Sequence, residues 1–118
     1  MLKRVDHIEI VVRDVDEMAE FFRRMGFEEV RRTEHHGGAV EMKLPGPDQV
    51  IFEFHQMEMQ ENPGVNHIAF LVEDSEATVA ELKAKGMKFD KGPYLFQTTG
   101  RTLTNFRDPQ GFRLQFTE

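Results

Sequence analysis

Two histidines stand 60 residues apart in matching surroundings, His7 in Val5-Asp6-His7-Ile8-Glu9-Ile10-Val11-Val12 and His67 in Val65-Asn66-His67-Ile68-Ala69-Phe70-Leu71-Val72. Both runs read as β-strands, in which side chains alternate between two faces. Ile8, Ile10 and Val12 form one oily face, and His7, Glu9 and Val11 form the other. The second run divides in the same way, with Ile68, Phe70 and Val72 opposite His67, Ala69 and Leu71. Two further strands place metal-competent groups away from the oil. Glu53 and His55 oppose Phe52 and Phe54, and Gln115 opposes Leu114 and Phe116. His7, Glu53, His67 and Gln115 thus fall on non-core faces. Two neutral imidazoles with carboxylate and amide oxygens suit Zn²⁺, Ni²⁺, Co²⁺, Fe²⁺ or Mn²⁺, and do not suit Ca²⁺.

Glu53 carries a second signal. It is a charge inside the apolar run Val50-Ile51-Phe52-Glu53-Phe54, where an unpaired carboxylate would be expensive. A metal or another cation would offset that cost. Glu9, beside His7, is placed to orient the imidazole or to line a rim.

The elements that must position these groups come in two copies. Asp14 caps a helix with Glu17 three residues on, and Gly26 stops it; Asp74 or Ser75 and Gly86 do the same in the second copy. Met18, Phe21, Phe22 and Met25 have the i, i+3, i+4, i+7 spacing of a buried helix face, and Val79 and Leu82 turn to the core in the second helix. Strands are expected over 27–33, 39–44 and 49–55, then over 65–72, 87–89, 102–106 and 112–117. The stretch 90–101 has little pattern and reads as a loop. The chain is therefore expected to be one α+β domain, 1–118, of two tandem βαβββ modules, 1–60 and 61–118, divided at Gln60-Glu61-Asn62-Pro63-Gly64. A curved mixed sheet around a cavity, with the helices outside, explains why both copies keep His away from the core.

Composition narrows the functions. Fifteen Lys+Arg against 21 Asp+Glu give a net charge of −6, with no basic run of the kind that binds nucleic acid. Zero Cys excludes thiol nucleophiles, thiolate metal sites, iron–sulfur clusters and disulfides. No membrane-length apolar run and no leader are visible, so a cytoplasmic protein without membrane partners is expected.

The opening Val-Asp-His-Ile-Glu-Ile-Val-Val, the Asp-capped helix ending Met25-Gly26-Phe27, the Val-Asn-His-Ile-Ala-Phe-Leu-Val restart and the close Asp108-Pro109-Gln110-Gly111-Phe112-Arg113-Leu114-Gln115 resemble the vicinal oxygen chelate superfamily, the glyoxalase / bleomycin-resistance / dioxygenase group. The resemblance spans essentially the whole chain and implies the glyoxalase-like fold. It implies a divalent metal held by His7, Glu53, His67 and Gln115, and a small oxygen-bearing substrate whose enediolate or enolate the metal stabilises. Lyase, isomerase and epimerase members share that chemistry. The terminal position looks like Glu in most metal-dependent relatives and is Gln115 here. Methylmalonyl-CoA epimerase-like members are similar in using two His, one Gln and one Glu, with the last two exchanged between modules. Glyoxalase I-like members also accept one Gln. Ring-cleaving dioxygenases and fosfomycin-type thiol transferases depend on the terminal Glu, which argues against both. Two alternatives stand beside the isomerase reading. One is a metal-dependent ring-cleaving dioxygenase, which oxygen consumption with Fe²⁺ and a catechol would reveal. The other is a metal-free binder of the bleomycin-resistance type, which would have no reason to keep two equivalent His.

The resemblance makes Glu53 the first choice of proton-abstracting base and Glu34 the second, with His35 near the same position. His36 belongs to the same Gly-rich turn. His55 shares a face with Glu53, and Arg101 and Arg113 are the cations available to an anionic substrate group. Relatives often form dimers, so a homodimer is expected.

Overall fold

The computed structural model describes residues 1–34 and 37–118. His35 and His36 lie outside the described residues. Eight strands and two helices follow in the order β1 (Leu2–Val12), α1 (Val15–Arg24), β2 (Glu28–Thr33), β3 (Ala39–Lys43), β4 (Ile51–Gln56), β5 (Gly64–Val72), α2 (Ser75–Ala84), β6 (Lys91–Phe96), β7 (Arg101–Arg107) and β8 (Arg113–Thr117). The chain divides into two compact units, His7–Asn66 and Met1–Asp6 with His67–Glu118. The βαβββ order recurs in each half.

In the first half the strands run β2-β3-β4-β1, with β4 parallel to β1 and antiparallel to β3. The second half has β5-β8-β7-β6, with β8 parallel to β5 and antiparallel to β7. Parallel neighbours need a long crossover, and the helix of each half lies within it.

The helices start and stop by the same devices. The Asp14 carboxylate accepts from the Glu17 backbone N–H at 3.0 Å, and Asp74 accepts from Ala77 at 2.9 Å. Their backbones are nearly superimposable, at φ −144°, ψ 103° and φ −145°, ψ 104°. Asp74, not Ser75, is therefore the second cap. At the far ends the N–H groups of Gly26 and Phe27 return to Arg23 and Phe22, and those of Gly86 and Met87 return to Lys83 and Leu82. Gly26 and Gly86 take the left-handed φ values of 99° and 92° that this reversal requires. Behind each cap a strand end adds a brace. Gln56 Oε1 accepts from Val15 N at 3.2 Å, and Glu118 Oε1 accepts from Ser75 N at 2.8 Å.

Each half has its own oily layer between helix and strands. Val12, Val15, Ala19, Val40, Met42 and Phe54 form the first, with Met18 and Phe22 against it; Val72, Val79, Phe106 and Phe116 form the second, with Leu82 and Phe89 against it. The strand residues here are the even-numbered ones, as the alternation requires. The stripe expected on α1 needs correction. Phe21 and Met25 are 53 % and 50 % exposed, while Val15 and Ala19 are buried. The true stripe, Val15-Met18-Ala19-Phe22, has the same spacing but starts three residues earlier. Val15 and Ala19 belong to the buried core cluster, and the larger Phe21 and Met25 lie outside it.

The region after α2 is also corrected. Residues 87–89 form no strand, although Phe89 packs on the core, and residues 91–96, expected as loop, form β6. Its register against β7 slips between Lys91 and Tyr94, where Gly92-Pro93 breaks the alternation a sequence pattern depends on. Gly92, at φ 104°, lies so close to the Leu103 carbonyl and Thr104 Cα that a side chain there would collide with the backbone.

Candidate functional site

The odd-numbered residues of β1 to β4 build a polar face opposite the oil. Register sets Glu9 beside Glu53, Glu53 beside Glu41, and Glu41 beside Arg31, one row across four strands. The next row is Val11, His55, Ala39 and Thr33. His7 lies one alternation before Glu9 and pairs with Ile51. This polar face is not a solvated one: His7 is 2 % exposed, Glu53 3 % and His55 1 %, and Glu9 and Glu41 are buried with them.

Burying carboxylates is costly unless charge and hydrogen bonds compensate. Arg31 Nε donates to Glu41 Oε2 at 2.8 Å. His55 is held at both ring nitrogens, with Nδ1 3.4 Å from Glu9 Oε1 and Nε2 3.1 Å from Glu61 Oε2. The other Glu61 oxygen accepts from Glu58 N at 2.8 Å, which ties the segment after β4 to this face. Burial pushes the imidazole toward its neutral form, but Glu9, through hydrogen bond and charge, and then Glu61 outweigh it. The His55 pKa rises from 6.5 to about 9. His55 is therefore a cation at neutral pH, a counter-charge on an acidic face.

The second half repeats the frame with other chemistry. Ala69 pairs with Gln115, Gln115 with Asn105, and Asn105 with Lys91. This row has no carboxylate. Gln115 is buried and its Nε2 donates to Asn105 Oδ1 at 3.0 Å; Asn105 Nδ2 donates in turn to the Tyr94 hydroxyl at 3.2 Å. Lys91 Nζ lies 4.4 Å from the centre of the Tyr94 ring. Thr117, on the same face as Gln115, is buried, and its hydroxyl has no hydrogen-bond partner among the described residues. His67 is half-buried.

The expected site residues thus divide by half. His7 and Glu53, with Glu9 and His55, share the buried face of β1 and β4. His67 and Gln115 share the corresponding face of β5 and β8. Glu34 is exposed just beyond the end of β2, Arg113 is exposed, and Arg101 is half-buried. Glu41, Arg31, Glu61, Asn105 and Tyr94 belong to these faces and were not anticipated. Glu41 was within reach of the sequence, because Val40 and Met42 flank it with the same alternation that singles out Glu53.

Among the described residues no three His, Asp or Glu side chains are already gathered around one point that could hold a metal ion. The donor chemistry nevertheless fits a divalent ion of the zinc-to-manganese series. Imidazole and carboxylate in one half and imidazole and amide oxygen in the other are its usual ligands, and none is a thiolate.

The sequence model of the Glyoxalase/Bleomycin resistance protein/Dioxygenase superfamily matches residues 4–116. An uncharacterized Bacillus subtilis (strain 168) protein, YwbC, is 29 % identical over 123 residues, covering 98 % of both chains. Among solved structures, a Streptomyces coelicolor methylmalonyl-CoA epimerase variant in complex with 2-nitronate-propionyl-CoA is 25 % identical. It superposes with a TM-score of 0.80 over 99 % of this chain and 97 % of its own. A Mycobacterium tuberculosis methylmalonyl-CoA epimerase shares the fold at 20 % identity and TM-score 0.81, over 99 % of this chain and 88 % of its own. The α+β arrangement expected from the repeated strand–helix–strand pattern is thus the glyoxalase-like fold of these proteins.

Proposed function

Because the chain belongs to the glyoxalase/bleomycin resistance protein/dioxygenase superfamily, we propose that it is a divalent-metal-dependent isomerase or epimerase acting on a small oxygen-bearing substrate. His7, Glu53, His67 and Gln115 are the ligands in this reading. The observation that carries it is the burial of His7 and Glu53 on adjacent parallel strands, turned away from the core, with His67 and Gln115 repeating the arrangement on β5 and β8. Likeness to methylmalonyl-CoA epimerase at 25 % identity across nearly the whole chain supports the same class.

When bound, the metal would polarise a substrate carbonyl and stabilise the enolate or enediolate formed from it. The remaining work falls to side chains. Glu53 is the proton acceptor: its carboxylate takes the proton from the carbon beside the carbonyl and, in an isomerisation, delivers it to the neighbouring carbon of the enediolate. An epimerisation needs a second acid on the opposite face of the enolate. Glu9 and His55 line the approach, and cationic His55 holds Glu9 through Nδ1. The buried surroundings keep water from competing for the proton. Glu34, exposed past β2, stands second to Glu53 as base. All carboxylates on the two polar rows lie in the first half, so a one-base isomerisation, with Glu53 carrying the proton between neighbouring carbons, is the simplest assignment.

The test is proton exchange. Metal-loaded protein in D2O, offered methylmalonyl-CoA and a panel of α-hydroxy- and α-keto-carbonyl compounds, should place deuterium beside the carbonyl of at least one of them. Chelator treatment and Glu53→Gln should each stop it. A protein that takes up no divalent metal and exchanges no proton on any member, while still binding one of them, would support the second reading. That reading is a metal-free small-molecule binder, favoured by the lack of three converged His, Asp or Glu side chains among the described residues.

A further inference from the structure

β6, a strand where the sequence pattern predicts a loop, brings Tyr94 into a hydrogen-bonded chain with Asn105 and Gln115. An amide side chain is a two-ended ligand, able to offer oxygen or nitrogen to whatever lies before it, and only the oxygen coordinates a metal ion. Gln115 Nε2 is already committed, as a donor to Asn105 Oδ1. Asn105 has its own two ends fixed, because Nδ2 donates to the Tyr94 hydroxyl. Tyr94 comes within reach because the slip at Gly92-Pro93 sets Lys91 against Asn105 but Tyr94 against Leu103. Lys91 over the ring holds the aromatic side chain from its other side. The three polar groups form a directed chain from β8 through β7 to β6, lying within one compact unit.

We propose that Asn105 and Tyr94 are positioning residues that fix the Gln115 amide with its nitrogen turned into the protein and its oxygen presented as a ligand. The proposal rests on the metal-dependent reading above. It gives the neutral half of the protein a specific role, which is to make an amide act as an oxygen donor where a carboxylate would need no such orientation. Residues behind metal ligands act in this way by fixing which atom, and which rotamer, meets the ion.

The test uses Co²⁺ alone as probe, titrated into chelator-treated, untagged protein and followed by calorimetry and by the visible absorption of the bound ion. Asn105→Leu should weaken Co²⁺ binding about 10- to 100-fold and alter the absorption bands, because the donor atom or its angle changes. Gln115→Ala should weaken it at least as much. Asn105→Asp is the discriminating variant. A carboxylate at 105 still accepts from Gln115 Nε2, and the Tyr94 hydroxyl turns from acceptor to donor, so affinity should stay within about threefold of the parent. Tyr94→Phe should fall between Asn105→Leu and the parent. Wild-type affinity in Asn105→Leu, with Gln115→Ala impaired, would overturn the positioning role and leave the ligand set standing. Asn105→Asp as damaged as Asn105→Leu would overturn it too, because the amide would then be the wrong way round. Full affinity in Gln115→Ala removes the inference while keeping the histidine ligands. Failure of the parent protein to bind Co²⁺ removes the metal-dependent reading beneath it.

Discussion

The two halves share a frame to within a degree at their helix caps, yet the faces they turn from the core differ in kind. At equivalent register the first half carries Glu9, Glu53, Glu41 and Arg31, and the second carries Ala69, Gln115, Asn105 and Lys91. One row further, His55 in the first half corresponds to Thr117 in the second. A duplicated scaffold thus holds an ionised surface in one half and an amide ladder in the other. The lesson is that folding constrains the oily faces of both halves alike, whereas the polar faces were free to diverge into chemistry and support.

Exchanging the two central residues is the strongest way to break this asymmetry. Glu53→Gln should cut turnover by about 10²- to 10⁴-fold, the range for loss of a positioned base, and Gln115→Glu should leave most of it. The double exchange should bind metal and still be slow, because the carboxylate would then lie in the half without the partners of Glu53. Steady-state kinetics beside metal titration separates the two effects. Equal rates in the double exchange and the parent would make the halves interchangeable.

A smaller effect distinguishes the outer positions of the two rows. Arg31 neutralises buried Glu41, so Arg31→Met should cost roughly 2–3 kcal/mol in urea unfolding, near the lower end for breaking a buried pair, since the guanidinium is partly exposed. Lys91→Met at the corresponding site loses a surface cation over Tyr94 and should cost about 0.5 kcal/mol. Similar losses at both sites would show that the ionised row is no more demanding than the neutral one.

The gentlest difference is in pH dependence. His55 has a folded pKa of about 9 against 6.5 unfolded, so the folded state binds the extra proton. Its contribution is fully present below pH 6.5 and is lost as pH rises through 9. Chelator-treated protein should therefore lose on the order of 1–2 kcal/mol between pH 6.5 and 9.5, part of the nominal shift, and His55→Asn should flatten that slope. Thr117, the counterpart of His55, has no titrating group, so Thr117→Val should leave the slope intact. A slope unchanged in His55→Asn would place the titration elsewhere.

Much of this was legible in the sequence because the physics is local. The 60-residue repeat, the Asp caps, the glycine stops and the alternation in β1, β4, β5 and β8 all follow from neighbours along the chain, and they set His7, Glu53, His67 and Gln115 on the faces where they lie. What escaped depended on distant partners. Phe21 has the size and spacing of a core residue, but the helix face buried against the strands is the one that carries Val15 and Ala19. The strand β6 escaped because Gly92-Pro93 interrupts its alternation, and with it went Tyr94 and its role behind Asn105. The sequence places His55 on the face of Glu53, but its charge comes from Glu9 on another strand and Glu61 beyond the strand end. Glu34 carried the right chemistry in sequence and lies exposed past β2.

Metal content bears most directly on the account. Protein purified without a polyhistidine tag, and analysed by plasma mass spectrometry beside the His7→Ala/His67→Ala double variant, should carry one equivalent of a divalent transition ion. The folded double variant should carry essentially none. The same metal content in both proteins would contradict the account, since the two equivalent histidines would then hold nothing.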